Sequence, residues 1–146
     1  MGLNRYHFTF DPRKKGLRKI LGDLEADVME AIWGRGRATV RDVHEQLAAA
    51  DRELAYTTVM TVMSRLADKG LLEKRKDGAA YAYVPSVSKE EFTRRTVGTV
   101  LSELLGDFTA PAMSQFVDLV GEQDAAAIEA LAKAIEEKRK RAGPDV

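Results

Sequence analysis

The chain has 146 residues, with 23 Lys and Arg balanced by 23 Asp and Glu and no Cys. This length allows one modest core or two small lobes, and no apolar run approaches the ~20 residues needed to span a bilayer. The first residues contain no apolar leader region, so we expect a soluble, cytoplasmic protein without membrane insertion.

The charges are unevenly distributed along the chain although they cancel overall. Up to Val84 there are 15 Lys and Arg against 12 Asp and Glu, whereas beyond it there are 8 against 11, giving +3 and −3. This asymmetry is consistent with one end facing phosphate and the other facing away. Because the positive excess is modest, any affinity for nucleic acid is expected to require two subunits and to fall steeply with salt.

A basic extension, residues 1–20, precedes the first helical pattern. It contains one acidic residue, Asp11, and six basic residues: Arg5, Arg13, Lys14, Lys15, Arg18 and Lys19. The extension is interpreted either as a flexible arm that contacts the DNA backbone or minor groove, or as a disordered leader or misassigned start. Tyr6, Phe8 and Phe10 alternate like a strand and would allow partial order. We favour the flexible arm.

Two helices are predicted next. Asp23 can cap the first, which continues to Trp33, a predicted core residue, and is followed by Gly34 and Gly36. Thr39 and Asp42 form a T-x-x-D capping box that opens the second helix, Val40 to Ala49. His44 on this second helix is predicted to lie at the surface or an edge.

A third helix follows the loop 51–55. Its apolar residues recur at helical spacing and define a buried face: Val59, Val62, Met63 and Leu66. The opposite face carries small hydroxyl groups, which allow a helix to enter the ~12 Å major groove, where Thr can contact bases and Arg can bind guanine. A surface helix with incidental Thr residues is the alternative for this window alone. Lys69 and Gly70 are predicted to end the helix.

A basic hairpin completes this region. Asp77-Gly78 lies between two strand-like runs, and such a pair favours a tight turn because its central residues need positive φ. Lys74, Arg75 and Lys76 could contact phosphate, with a solvated charge run as the alternative; Tyr81 and Tyr83 are expected to pack on the domain. Helix, short strand, helix, helix and hairpin is the order of a winged helix-turn-helix.

Three amphipathic helices are predicted after Pro85. They cover Lys89–Leu105, opened by Ser88 and Glu91 and ended by Gly106, then a segment from Thr109 to Gly121, then about 124–141. No strand accompanies them, so we expect a second copy to bury their apolar stripes in an isologous dimer; the alternative is a self-contained monomeric lobe. The expected interface residues are Phe92, Val97, Leu101, Leu104, Phe116 and Val120.

The predicted fold class is therefore mostly α. A winged helix-turn-helix DNA-binding domain is expected over residues 21–85, and a C-terminal three-helix dimerisation lobe over residues 86–146. Two recognition helices roughly 34–36 Å apart would match a palindromic site.

Four segments carry a resemblance to a known family: LGDLEADVMEAIW, TVRDVHEQL, LAYTTVMTVMSRLADKGLL and DGAAYAYVP. They resemble the penicillinase-repressor family of bacterial transcription factors, the BlaI/MecI/CopY group, over roughly residues 21–141. The resemblance implies a dimeric repressor on a dyad-symmetric operator, with the Thr-rich helix in the major groove. The DNA-binding residues expected here are Thr39, Arg41, Tyr56, Thr57, Thr58, Thr61, Arg65, Lys74, Arg75 and Lys76.

The resemblance also implies two ways of ending repression. Copper-responsive members use a cysteine motif, which this Cys-free chain lacks, and His7 and His44 belong to no ligand-like cluster, so no metal or cofactor is expected. Members that respond to β-lactams are cleaved at an Asn-Phe bond after a membrane sensor protease detects the drug. The matching bond here is Gln115-Phe116, with Gln replacing Asn, and cleavage there would remove the avidity of two linked heads.

Other classes of function are less well supported by the residues. The sequence contains no paired carboxylates in an apolar context, no nucleophile with a matching base and no Gly-rich phosphate loop, so it is not expected to be an enzyme. The alternative function is a winged-helix protein–protein adaptor without sequence-specific DNA binding.

Overall fold

A computed structural model of the chain describes residues 10–143. After a short 3-10 helix, Gly16–Lys19, these residues form α1 (Asp23–Arg35), α2 (Val40–Ala49), α3 (Tyr56–Asp68), β1 (Leu72–Asp77), β2 (Ala80–Pro85), α4 (Lys89–Asp107), α5 (Thr109–Gln123) and α6 (Ala125–Ala142). Six helices and one two-stranded sheet confirm the predicted mostly α class. The chain divides into two compact units after Val97, inside α4. Division into domains after residue 85 stays a prediction.

The first unit is built on α1, α2 and α3, whose apolar faces form one core. The predicted inner face of α3 is confirmed, because Val59, Val62, Met63 and Leu66 are all buried. Fully burying each such side chain contributes about 1.5–3 kcal/mol. Gly70, with φ of +83°, follows the end of α3 as predicted. The helix is thereby fixed through one face, and its other face is left open.

The starts of α1 and α2 differ in how they are capped. At α2 the predicted box is present: Thr39 Oγ1 accepts from the Asp42 amide at 3.1 Å, and Asp42 Oδ2 accepts from the Thr39 amide at 2.9 Å. The prediction that Asp23 caps α1 is wrong. Asp23 is the first residue of that helix, Gly22 occupies the cap position, and the Asp23 carboxylate accepts a hydrogen bond from Lys14 instead.

The hairpin forms, with its turn one residue later than predicted. Asp77 pairs with Ala80 at the end of the sheet, so Gly78 and Ala79 make the turn and Gly78 supplies the positive φ of +64°. Tyr83 is buried at the base of the hairpin, where Ala38 exchanges backbone hydrogen bonds with it at 3.0 and 2.8 Å. Tyr81, predicted to pack on the domain, is 51% exposed because it lies nearer the tip.

Residues 10–20 differ from the expected flexible arm. Leu17, Ile20 and the following Leu21 pack on the core of the first unit. Arg18 forms ion pairs with Asp27 at 2.6 Å and Asp23 at 3.4 Å. This part of the extension is therefore packed on α1. Residues 1–9, including Arg5, Tyr6, His7 and Phe8, lie outside the described residues.

The first turns of α4 belong to the first unit. Phe92 is only 3% exposed, and its ring centroid lies 5.7 Å from that of Trp33, whose indole nitrogen donates to the Val87 carbonyl at 3.0 Å. Phe92 was predicted to lie in a dimer interface. That prediction is wrong because its side chain is already enclosed by its own chain and presents almost no surface to a partner.

In the second unit α5 and α6 pack against each other, and the helices extend further than predicted. α4 continues through Gly106 to Asp107 and α5 through Gly121 to Gln123, while the Asp124 side chain caps α6 by accepting from the Ala126 amide at 2.9 Å. None of the helices within residues 10–143 is both long enough and apolar enough to cross a membrane.

Candidate nucleic-acid interface

The outward face of α3 is the candidate base-reading surface. Its exposed side chains are Tyr56, Thr57, Thr58, Met60, Thr61, Ser64 and Arg65, followed by Asp68 at the end of the helix. Thr61 Oγ1 donates to the carbonyl of Thr57 at 2.9 Å, so its hydrogen is used within the helix and its oxygen remains an acceptor. The face therefore offers small groups that can bond to or touch base edges in a major groove.

Met60 also belongs to this face, although it was not among the predicted DNA-binding residues. It is 42% exposed and lies one turn from Thr57 and from Ser64. The spacing already contained the signal, because residue 60 is missing from the apolar series 59, 62, 63 and 66. A flexible thioether side chain at this position can contact thymine methyl groups.

Two contacts hold the ends of α3. Before the helix, His44 Nε2 donates to the Leu54 carbonyl at 2.8 Å, and the His44 ring meets the Tyr56 ring edge-on with centroids 5.7 Å apart. Beyond it, Lys69 Nζ lies 3.0 Å from Glu25 on α1. His44 is thus half-buried with a specific role in placing α3. No spacing in the sequence indicated this role, because the partner is a backbone carbonyl in a loop.

Thr39 and Arg41, at the start of α2, are placed differently from each other. The Thr39 hydroxyl is used in the capping box, whereas Arg41 is 80% exposed and pairs with Glu45 one turn along the helix at 3.0 Å. The hydrogen bond from the Thr39 backbone amide lowers the pKa of Asp42 below its ordinary value. Asp42 therefore stays ionised to a lower pH than an ordinary aspartate and continues to accept the hydrogen bonds of the box there.

The hairpin carries its cations on two faces. Lys74 and Lys76 share one face, and Lys74 Nζ lies 4.4 Å from the centre of the Tyr81 ring. Arg75 is on the other face, where its Nε is 3.3 Å from Glu73. Asp77 at the tip pairs with Arg37 at 2.9 Å. The net positive charge of the hairpin therefore comes mainly from the two lysines.

The second unit exposes a continuous set of apolar side chains. An apolar groove of about 560 Å³ runs along the end of α4 and one side of α5; it is lined by Leu101, Leu104, Leu105, Phe108, Pro111, Ala112, Met113, Gln115, Phe116 and Leu119. Of the predicted interface residues, Val97, Leu101, Leu104 and Phe116 are 40–50% exposed and Val120 is half-buried. The Gln115-Phe116 bond is exposed on α5.

Within residues 10–143, the His, Asp and Glu side chains form no group of three or more that could hold a metal ion. The candidate site is thus made of hydroxyl, thioether, aromatic and cationic side chains on a helix and a hairpin.

Three helices pack together, the third of them has an exposed outer face, and a two-stranded hairpin follows it directly. This arrangement defines a winged helix-turn-helix protein of the DNA-binding class. A model of the penicillinase repressor family matches residues 21–137. The chain therefore belongs to the penicillinase repressor family. It is a DNA-binding transcriptional repressor, and this membership confirms the expectation that it is not an enzyme.

The chain is also similar to individual proteins. The transcriptional regulator BlaI of Mycobacterium tuberculosis is 41% identical over 110 residues, which cover 74% of this chain and 79% of the relative. The penicillinase repressor of Staphylococcus aureus is 26% identical over 82 residues, covering 56% and 64%. Among solved structures, monomeric Bacillus licheniformis BlaI in complex with the blaP half-operator is 27% identical, with a TM-score of 0.42, covering 49% of this chain and 85% of that one.

Proposed function

We propose that the protein is a homodimeric repressor that binds a dyad-symmetric operator, reading bases with the outward face of α3. The observation that carries this proposal is the composition of that face. Between Tyr56 and Arg65 every exposed side chain is neutral or cationic, and most are small. Acidic groups would repel phosphate on approach, and small groups let the helix backbone lie close to the base edges.

The other predicted residues contact the backbone in this proposal. Lys74 and Lys76 on the wing bind phosphate as point charges. Arg75 binds phosphate once its ion pair with Glu73 breaks, and Arg41 reaches phosphate beside the start of α2. Backbone amides at a helix N-terminus also favour phosphate. Thr39 is included in the proposed interface because it lies at the N-terminus of α2. These contacts position the domain, and the α3 side chains supply the specificity.

Dimerisation in this proposal uses the apolar groove of the second unit. Leu101, Leu104 and Phe116 line this groove, Val97 and Val120 remain as proposed contacts outside it, and Phe92 is excluded by its burial. Contiguous apolar surface of this kind is typical of an interface. Two linked heads then bind the two halves of a palindrome with an avidity that a single head lacks.

Fluorescence anisotropy with duplexes selected by the protein from a randomised library tests the DNA part. Arg65→Ala should cost about 1–3 kcal/mol and relax specificity at one base position, whereas Lys76→Ala should weaken all duplexes and lower the salt slope by about 1. Lys89→Ala, an exposed cation paired with Glu30 on another surface, is the matched control. If no duplex is enriched, the protein–protein adaptor is the better assignment. If Arg65→Ala and Thr61→Ala leave binding unchanged while wing variants weaken it, α3 does not read the bases.

Sedimentation equilibrium tests the dimer. The wild type should sediment as a dimer at micromolar concentration, and Leu101→Asp should sediment as a monomer because it places a charge in an apolar contact. A monomeric wild type would support the self-contained lobe.

The proposed route of relief is cleavage of the Gln115-Phe116 bond by a membrane sensor protease. The bond is exposed and lies in α5, among the apolar side chains of the proposed interface, so cleavage would break the dimer and its avidity. Incubation with a candidate protease should yield a fragment ending at Gln115. Absence of that fragment while operator binding is lost would point to another signal.

A further inference from the structure

The Asp27 carboxylate on α1 joins two arginines from different parts of the chain. Its Oδ1 lies 2.6 Å from Arg18 Nη2, and its Oδ2 lies 2.7 Å from Arg52 Nη1. The Asp27 side chain is 18% exposed. Oδ2 is shielded from water and accepts no hydrogen bond, so its contact with Arg52 is an ion pair. A largely enclosed carboxylate needs its ionic partners, because water does not replace them at the shielded oxygen.

Arg52 lies in the turn that leads from α2 into α3. The Arg52 amide donates to the Leu47 carbonyl at 2.9 Å, and two residues later the Leu54 carbonyl accepts from His44. The turn is therefore attached to α2 through its backbone and to α1 through the Arg52 guanidinium. Since Tyr56, the first residue of α3, follows directly, the position of this turn sets where α3 begins.

Arg18 lies in a segment that precedes the family match, which begins at residue 21. The segment is held in place without Arg18, because Leu17 and Ile20 pack on the core and Lys14 donates to Asp23 at 3.3 Å. It can therefore present the Arg18 guanidinium to Asp27 from a fixed position. Arg18 contacts Oδ1 and Arg52 contacts Oδ2, so the two guanidinium groups share one carboxylate.

We propose that residues 10–20 are a positioning element for α3, in which Arg18 acts through Asp27 and Arg52 to fix the turn before the base-reading helix. The inference rests on the proposed function, since it concerns the reading of operator DNA. Arg18 is a positioning residue here and contacts no phosphate. Its contribution is to specific binding, because base contacts demand a fixed helix whereas backbone contacts tolerate displacement.

The test compares Arg18→Gln with Arg13→Gln in the full chain. Both remove one cation from the same segment, but Arg13 is 88% exposed and pairs only with Asp11 in the described structure, away from Asp27. Arg18→Gln should weaken binding to a library-selected duplex by roughly 3- to 30-fold, with random-sequence binding and the salt slope unchanged. Arg13→Gln should leave the ratio of selected to random affinity as in the wild type. Arg18→Lys, which restores the charge, should recover part of the loss.

Hydrogen exchange gives a reading that needs no DNA. In Arg18→Gln the amides of residues 51–58 should exchange faster, and those of α1 and the wing should not; in Arg13→Gln none should change. Unchanged exchange at 51–58, or faster exchange throughout the unit, overturns the inference. A salt slope lowered by about 1 in Arg18→Gln also overturns it, because Arg18 would then contact phosphate. If the wild type enriches no duplex, the proposed function fails, and exchange alone still decides whether the segment holds the turn.

Discussion

Replacing Phe92 with Ala separates a core residue from an interface residue on the same helix. Phe92 is 97% enclosed by its own unit and lies against Trp33, whereas Leu101, nine residues further along α4, is 40% exposed. Because Phe92 is buried within its own unit, Phe92→Ala should destabilise the first unit without weakening the dimer. Leu101→Ala should do the reverse.

The size of the effect follows from the burial. Truncating a buried Phe to Ala costs about 3–5 kcal/mol, and the lower end is expected because the neighbouring Trp33 is only half-buried and can relax into the space. A unit of this size has a stability of roughly 4–13 kcal/mol, so the loss removes much of it. The midpoint of urea unfolding should fall by about 1–3 M for a slope of about 1–3 kcal/mol per M.

Trp33 is the only tryptophan in the sequence, so its fluorescence during urea titration reports on this unit. Far-ultraviolet circular dichroism gives the midpoint independently, and sedimentation equilibrium gives the dimer dissociation constant. The reasoning is refuted if Phe92→Ala keeps the wild-type midpoint while raising the dissociation constant as much as Leu101→Ala does.

Three smaller perturbations address the helices. Glu91 accepts hydrogen bonds from Arg94 and from Arg95, which lower its pKa from 4.5 to about 2. The stability that these contacts contribute is complete above pH 4.5 and is lost as pH falls toward 2. The difference in unfolding free energy between wild type and Glu91→Gln should therefore shrink over that interval in urea melts. A constant difference from pH 7 to pH 2 would contradict this. Gly98→Ala in α4 meets no neighbour within 4 Å and should raise the free energy of unfolding by up to about 1 kcal/mol; a lower melting temperature would indicate an unrecognised constraint. Thr39→Ala should lower the free energy of unfolding by about 0.5–2 kcal/mol because the α2 cap is lost. In the same thermal measurement Thr39→Ser should keep most of the wild-type stability, because Ser also caps helices.

Much of the fold could be predicted because its signals are local. The i, i+3, i+4 and i+7 spacing identified the buried face of α3, and a T-x-x-D sequence identified the start of α2. The pattern of apolar residues in α4 also marked Phe92 for burial but assigned it to the dimer interface. It could not distinguish a stripe covered by the same chain from one covered by a second copy, because both bury the same side chains.

The polar contacts that place α3 were beyond sequence reasoning. Asp27 meets Arg18 nine residues before it and Arg52 twenty-five residues after it, and no periodicity relates these positions. His44 meets a loop carbonyl, which leaves no side-chain pattern. Met60, by contrast, is absent from the apolar series of α3, so the helical spacing alone indicates that its side chain is exposed.

The paired amides and carbonyls of Ala38 and Tyr83 restrict how this hairpin can change in evolution. A one-residue insertion within β2 before Tyr83 would shift the register and turn the tyrosine ring to the opposite side of the strand. Insertions at Gly78 and Ala79 meet no such constraint. Length variation among descendants of this gene should therefore accumulate at the tip, where reach along DNA can be tuned, while the base of the hairpin keeps its length.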